Sequence, residues 1–456
     1  MNRRAPTLDS QHGISALNRF FVSVSPLLRV DPLSPSAPLT LCARIPAMRH
    51  LRALCGATLI AFCGTVTANA QAPAASDAIV RFRINVPEAT LKDLKARLAN
   101  TRFPSEIEQS GWEYGTNLDY LKELVTYWRR TYDWRAQERK LNQLPQYRTT
   151  IDGIDIHFVH QRSSQPNAMP LVMIHGWPGS FFEFTKVIGP LTEPTQSGGN
   201  ASDAFHIVAL SLPGYGFSGK PRAGGYNTAR IARIVAQLMA RLGYTRYGAQ
   251  GGDWGAAIVR QLGLVDREHL IGLHSNMCVA NAPFGPNPNE GVPEADLKRV
   301  QAAQARSANE LGYFQIQSTR PMTVGYGLND SPAGLAAWIV EKFRAWSDSD
   351  GNVEKKFSKA DLLTNVLIYW VTESGPSSVR IYFETRVDPG LPGRVEVPFA
   401  CARFPREMFA IVPTKWIEAQ YKLQQLTDMP RGGHFAALEE PQLLVDDVRK
   451  FFRGRR

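Results

Sequence analysis

The chain has 456 residues, 44% of them hydrophobic and 20% charged, which is ample apolar material for a large core and excludes a disordered or fibrous protein. Its formal charge of +11 points towards nucleic acid, but residues 1–72 hold seven Arg against two Asp, leaving 45 cations against 39 acids and a net of +6 in the remainder. Those cations are scattered, apart from a run between Arg449 and Arg456 that reads as a solvated end, so no nucleic-acid partner is expected.

Residues 1–47 show no helical or strand period, are rich in Pro, Ser and Arg, and read as a disordered leader or a misassigned start. Residues 48–72 read as a signal peptide. Arg49, His50 and Arg52 make a positive start, an apolar stretch follows, and Ala68-Asn69-Ala70 or Ala70-Gln71-Ala72 offers a cleavage site. The apolar stretch, about 15 residues, is short for a bilayer span. Export to the periplasm or medium, without a stable membrane anchor and with translation from Met48, is therefore expected; an uncleaved anchor is the alternative. Cys42, Cys55 and Cys63 fall in this leading part. Cys278 and Cys401 remain, without metal-ligand spacing, and read as buried free thiols, although an exported protein could join them.

Residues 78–145 form an N-terminal meander: a strand over 80–84, a helix with Leu91, Leu94 and Leu98 on one face, and a second amphipathic helix over 118–132. Two strands, 147–151 and 154–160, then meet at the turn Asp152-Gly153. The apolar run 171–174 reads as a buried parallel strand, and it ends in His175-Gly176-Trp177-Pro178-Gly179-Ser180, a sharp loop. Further strands are predicted at 205–210, 246–251 and 270–275, with helices over 228–242 and 256–264. This alternation predicts an α/β fold with a mostly parallel, doubly wound sheet.

Between the last two of these strands stands Gly251-Gly252-Asp253-Trp254-Gly255, the spacing of a nucleophile elbow with aspartate in the place of serine. A carboxylate displaces a leaving group from saturated carbon and leaves an alkyl ester on the enzyme. The substrate should then be an epoxide or an alkyl halide. Cleaving the ester needs a histidine base, an acid to orient it and an oxyanion hole. The backbone N–H groups of Trp177 and Trp254 are the candidates for the hole.

The alternation stops over 282–394, where helices predicted at 294–311, 332–346 and 358–372 suggest an inserted lid. The α/β core, opened over 146–281, resumes over 395–456 with strands at 395–402 and 424–429. His434 follows the last of them in Arg431-Gly432-Gly433-His434-Phe435, in the order nucleophile, acid, histidine.

With these motifs in view, the chain from about residue 79 to its end resembles the microsomal-type epoxide hydrolases, the group that includes the juvenile hormone epoxide hydrolases. The resemblance rests on His175-Gly176-Trp177-Pro178, Gly251-Gly252-Asp253-Trp254-Gly255 and Arg431-Gly432-Gly433-His434-Phe435-Ala436-Ala437-Leu438-Glu439-Glu440-Pro441. It implies an α/β-hydrolase fold with Asp253 as nucleophile, His434 as base, and Glu407 of Phe404-Pro405-Arg406-Glu407 as the orienting acid, with Asp388 as competitor. It also implies Tyr313 and Tyr382 as lid proton donors and places His175 and Pro178 at the substrate. An opening epoxide yields an alkoxide, which needs such a donor. An apolar epoxide and water are the expected partners, with no cofactor and no metal; a homo-oligomer stays open. A dehalogenase, with indole donors around the halide, and a non-catalytic exported binding protein are the alternatives.

Overall fold

A computed structural model describes residues 77–408 and 412–455. The leader, the signal segment and their three cysteines lie outside those residues. The described part contains one nine-stranded sheet: β1 (Val80–Phe82), β2 (Gln146–Ile151), β3 (Ile154–Gln161), β4 (Met169–Ile174), β5 (Phe205–Leu210), β6 (Tyr247–Gly251), β7 (Leu270–Ser275), β8 (Val395–Arg403) and β9 (Tyr421–Asp428). Their spatial order is β1-β2-β3-β5-β4-β6-β7-β8-β9. The first three pair antiparallel, through to β5, and every pair from β5 to β9 is parallel.

Pattern and burial agree along these strands. Every residue of β5 is buried, as in a parallel strand covered on both faces. Helix Trp254–Val265 covers the face that carries Leu273, and the final helix Pro441–Phe452 covers the face of Gly248 and Gly272, where its Phe451 and Phe452 fill the room the glycines leave. β6 has poor strand propensity; parallel partners on both sides hold it extended. Because β5 and β6 flank β4, the crevice at the carboxyl ends of β4 and β6 is a topological switch point.

No strand occurs among residues 276–394. They carry helices Glu294–Ser307, Gly312–Thr319, Pro321–Asp330, Pro332–Trp346, Lys359–Val371, Gly375–Ser378 and Arg380–Val387. The helix predicted over 294–311 breaks after Ser307 into a short 3-10 turn. Helices 312–319, 321–330 and 380–387 escape prediction because they are short and, in 321–330, interrupted by Gly325 and Gly327. The N-terminal segment packs on this helical layer. Arg97 donates to the Asp330 carbonyl and carboxylate at 2.7 Å, and Thr116 to Ala337 O at 2.8 Å.

One expectation is overturned. Cys278 and Cys401 are not free thiols; they form a buried disulfide with a Cα separation of 5.7 Å. β8 lies beside β7 with Ser275 opposite Cys401, and Cys278 follows Ser275 by three residues. A sequence separation of 123 residues gives no hint of that pairing.

Candidate active site

Every polar group proposed for the chemistry outside the helical layer stands at the carboxyl end of a parallel strand. β4 and β6 end level, with Ile174 opposite Gly251. The loop after β4 and the elbow after β6 are thus side by side. In the elbow, Asp253 has φ 52° and ψ −130°, a conformation that costs a non-glycine residue about 1–3 kcal/mol. The flanking glycines make room for it: a Cβ on Gly255 would fall 1.9 Å from Ile174 O, and one on Gly251 2.5 Å from the Gly255 backbone. The strained turn lifts the Asp253 carboxylate out of the sheet.

The Trp177 N–H donates to Asp253 Oδ1 at 2.8 Å. Trp254 opens a helix, so its N–H belongs to the group that a helix start leaves without an intrahelical acceptor. The other oxygen, Oδ2, lies 3.4 Å from His434 Nε2, and His434 Nδ1 meets Glu407 Oε2 at 2.8 Å. Glu407 follows β8 and His434 follows β9, strands that end paired at Arg403 and Asp428. Asp388 is elsewhere: it caps helix Arg380–Val387, and its carboxylate accepts the Gly390 N–H at 3.0 Å. Burial alone would lower the His434 pKa, but the Glu407 and Asp253 carboxylates outweigh it and hold the imidazole well above its usual value.

Tyr313 and Tyr382 come from helices Gly312–Thr319 and Arg380–Val387 and face the same space. Their rings are 5.8 Å apart; Tyr313 stacks on Trp177 at 5.1 Å and Tyr382 meets Trp254 edge-on at 4.7 Å. Burial raises both phenols well above 10, so both stay protonated at neutral pH. The Tyr382 hydroxyl has no hydrogen-bond partner at normal geometry among the described residues.

His175 departs from expectation. Its ring is 1% exposed, its Nδ1 donates to Gly176 O at 2.9 Å, and its Nε2 accepts the Leu212 N–H at 3.2 Å. With both nitrogens on backbone, it braces the loop and offers a substrate no polar atom. Burial lowers its pKa to about 4. Pro178, in a cis peptide with Trp177, is also buried, and its carbonyl accepts Asn365 Nδ2 at 2.8 Å.

Several contributors went unread in the sequence. Asn365 and Tyr369, one turn apart on helix Lys359–Val371, hold the loop after β4: Ser180 Oγ donates to Asn365 Oδ1 at 2.8 Å and the Tyr369 hydroxyl to Gly179 O at 2.5 Å. Trp346 O accepts the His434 N–H at 2.9 Å. Glu439 clamps the histidine loop by accepting N–H groups from Phe435, Gly433 and Asp348 at 2.9, 3.2 and 2.8 Å. Glu183 brings a further carboxyl to the loop after β4. Its spelling, Ser180-Phe181-Phe182-Glu183, suggests only a helix cap.

Residues 79–184 match the family model described as epoxide hydrolase N terminus, and residues 169–321 the alpha/beta hydrolase fold. Juvenile hormone epoxide hydrolase 1 of Ctenocephalides felis is 40% identical over 392 residues, 80% of this chain and 84% of the relative. Epoxide hydrolase 1 of Oryctolagus cuniculus is 40% identical over 405 residues, 82% and 89% of the two chains. The crystal structure of juvenile hormone epoxide hydrolase from the silkworm Bombyx mori superposes with a TM-score of 0.77 at 35% identity, covering 84% of this chain and 96% of that one.

Proposed function

The chain belongs to the epoxide hydrolase family, on the α/β-hydrolase fold, and from that premise we propose that it converts an apolar epoxide to a vicinal diol through an ester on Asp253. Asp253 Oδ1 sits on the Trp177 N–H, so Oδ2 is the attacking atom and Oδ1 the carbonyl oxygen of the ester. As the carbon–oxygen bond of the ring breaks, Tyr313 or Tyr382 gives its proton to the departing alkoxide. The phenols are suited to this because burial keeps them protonated.

Esterification removes the charge of Asp253, one of the two carboxylates that hold His434 protonated. The proton that His434 held passes to the phenolate left by ring opening, and the neutral imidazole, still oriented by Glu407, becomes able to act as a base. Water loses a proton to His434 and attacks the ester carbonyl, and the N–H groups of Trp177 and Trp254 take the oxyanion. Collapse releases the diol, with His434 returning its proton to the departing alkoxide, and the proton left on the Asp253 carboxyl then passes to His434, which restores the starting pair. The observation that carries this reading is the convergence of Asp253, His434, Glu407 and both tyrosines on one space.

The aromatic lining favours an apolar, aryl- or alkyl-substituted epoxide and suits a detoxifying role. The test pairs wild type with Asp253→Ala on styrene oxide, beside halide release from an alkyl bromide. Diol formation lost in the variant by about 10⁴-fold or more is expected; halide release without diol would overturn the reading. In one turnover in ¹⁸O-water, the label should enter the Asp253 carboxyl. We also propose that the protein is exported. The signal-like segment supports this, as does the Cys278–Cys401 disulfide, a bond favoured in oxidising compartments. Amino-terminal sequencing should begin near Gln71 or Pro73. Among the described residues no helix is long and apolar enough to cross a membrane.

A further inference from the structure

Two carboxyls press against the loop after β4, Asp253 from the elbow after β6 and Glu183 from just beyond the loop. At one end, an ideal Cβ on Gly176 would fall 2.0 Å from Asp253 Oδ1; at the other, one on Gly179 would fall 1.4 Å from Glu183 Oε1. Glu183 therefore fills the volume in which any other residue at 179 would place its side chain. Three peptide links separate the glycines, whose Cα atoms are thus at most about 10 Å apart. Ser180-Phe181-Phe182-Glu183 has the spelling of a capping box, yet the box does not form: Ser180 Oγ accepts the N–H of Phe182, at 3.3 Å, in place of that of Glu183, and the Glu183 carboxyl makes no return bond.

Among the described residues that carboxyl has no hydrogen-bond or ion-pair partner, although it stands within the electrostatic reach of His434, Asp253 and Tyr369. Its residue keeps part of its surface accessible. Burial raises its pKa to about 8; the Asp253 charge adds to the rise and the His434 charge opposes it. A buried carboxyl without a protein partner is costly, and a space with several polar groups is where an ordered water relieves that cost.

We infer that Glu183 holds the hydrolytic water of the second half-reaction, accepting one of its hydrogens while His434 Nε2 takes the other. This rests on the two-step reading above. The bonds balance without a further reagent: the water oxygen bonds to the Asp253 carbonyl carbon, the proton on its His434 side moves to Nε2, and the hydrogen facing Glu183 stays on the oxygen until the intermediate collapses. Epoxide opening precedes the need for water, so Glu183 bears on ester cleavage and not on ester formation.

Rapid-quench kinetics with mass spectrometry of the alkyl-enzyme tests this in Glu183→Gln, Glu183→Ala and Gly179→Ala, with His434→Gln as the reference. In Glu183→Ala the ester should form at the wild-type rate and decay roughly 100-fold more slowly, within the range of positioned acid–base groups. Glu183→Gln, whose amide still accepts, should lose less. Gly179→Ala, whose Cβ displaces the carboxyl without removing it, should behave like Glu183→Ala. Formation and decay slowed equally, or decay unchanged, would overturn the inference. If His434→Gln accumulates the ester and Glu183→Ala does not, the role of Glu183 alone fails. If His434→Gln accumulates none, the two-step reading fails with it.

Discussion

The strand-end loops and the helical layer bring comparable numbers of groups to one site, but they are held there by different means. Asp253, the Trp177 N–H, Glu407 and His434 sit a few residues beyond strands that are hydrogen-bonded neighbours. Their placement is a local consequence of register, glycine and a strained turn. Tyr313, Tyr382 and the pair Asn365 and Tyr369 sit on three separate helices and reach the site only through side-chain packing and a few long-range bonds. The loops are thus intolerant of added atoms, whereas the helices tolerate loss of atoms at the cost of rate.

The largest expected effect breaks the loop side. Gly255→Ala sets a methyl 1.9 Å from Ile174 O, in backbone that has no room to yield. It should cost at least about 3 kcal/mol or prevent folding, as read by denaturant unfolding; a folded variant of unchanged stability would show that the elbow can shift. On the helical side, Tyr313→Phe and Tyr382→Phe should each slow ester formation about 10- to 100-fold. The double variant should approach 10³-fold with its melting temperature nearly unchanged, as measured by single-turnover kinetics. Equal losses in stability and rate would make the tyrosines packing residues.

A change of pH, smallest within a unit of neutrality, also separates the regions. Burial lowers His157 to about 3 and His175 to about 4, so the unfolded chain binds their protons first as pH falls below about 6.5. Their contribution is full above about 6.5 and lost on acidification, at about 1.4 kcal/mol per pH unit for each. His434 has the opposite sign: its raised pKa gives stability that is full below about 6.5 and fades as pH rises through the folded value. Unfolding midpoints from pH 4 to 8 should fall on the acid side, and His175→Asn should flatten that limb.

What the sequence reveals follows the same division. The elbow, the loop after β4 and His434 are legible because glycine spacing and strand order carry them. Asp253 is itself a break in the common spelling, and the proposed chemistry is read from that break. Glu407 is not legible by local reading, since Asp388 stands in an equally plausible turn; only the resemblance ranks them, and β8 beside β9 brings Glu407 to His434. His175 misleads because a histidine in this loop invites a place at the substrate, while its bonds to Gly176 and Leu212 turn it inward. Asn365, Tyr369 and the Cys278–Cys401 bond are decided by contacts across more than 100 residues, which no local pattern encodes.

That disulfide also draws a boundary through the chemistry. Cys278 follows β7 and Cys401 lies in β8, so the bond closes a covalent ring that contains Tyr313, Tyr382, Asn365 and Tyr369 and leaves Asp253, Glu407 and His434 outside. A protease that cuts the chain once anywhere within the ring therefore produces a two-chain protein, not two fragments. Both sides of the nick stay tethered to the sheet, and the donors stay at high effective concentration over the nucleophile. Wherever the bond is oxidised, only cleavage together with reduction would shed the covering layer.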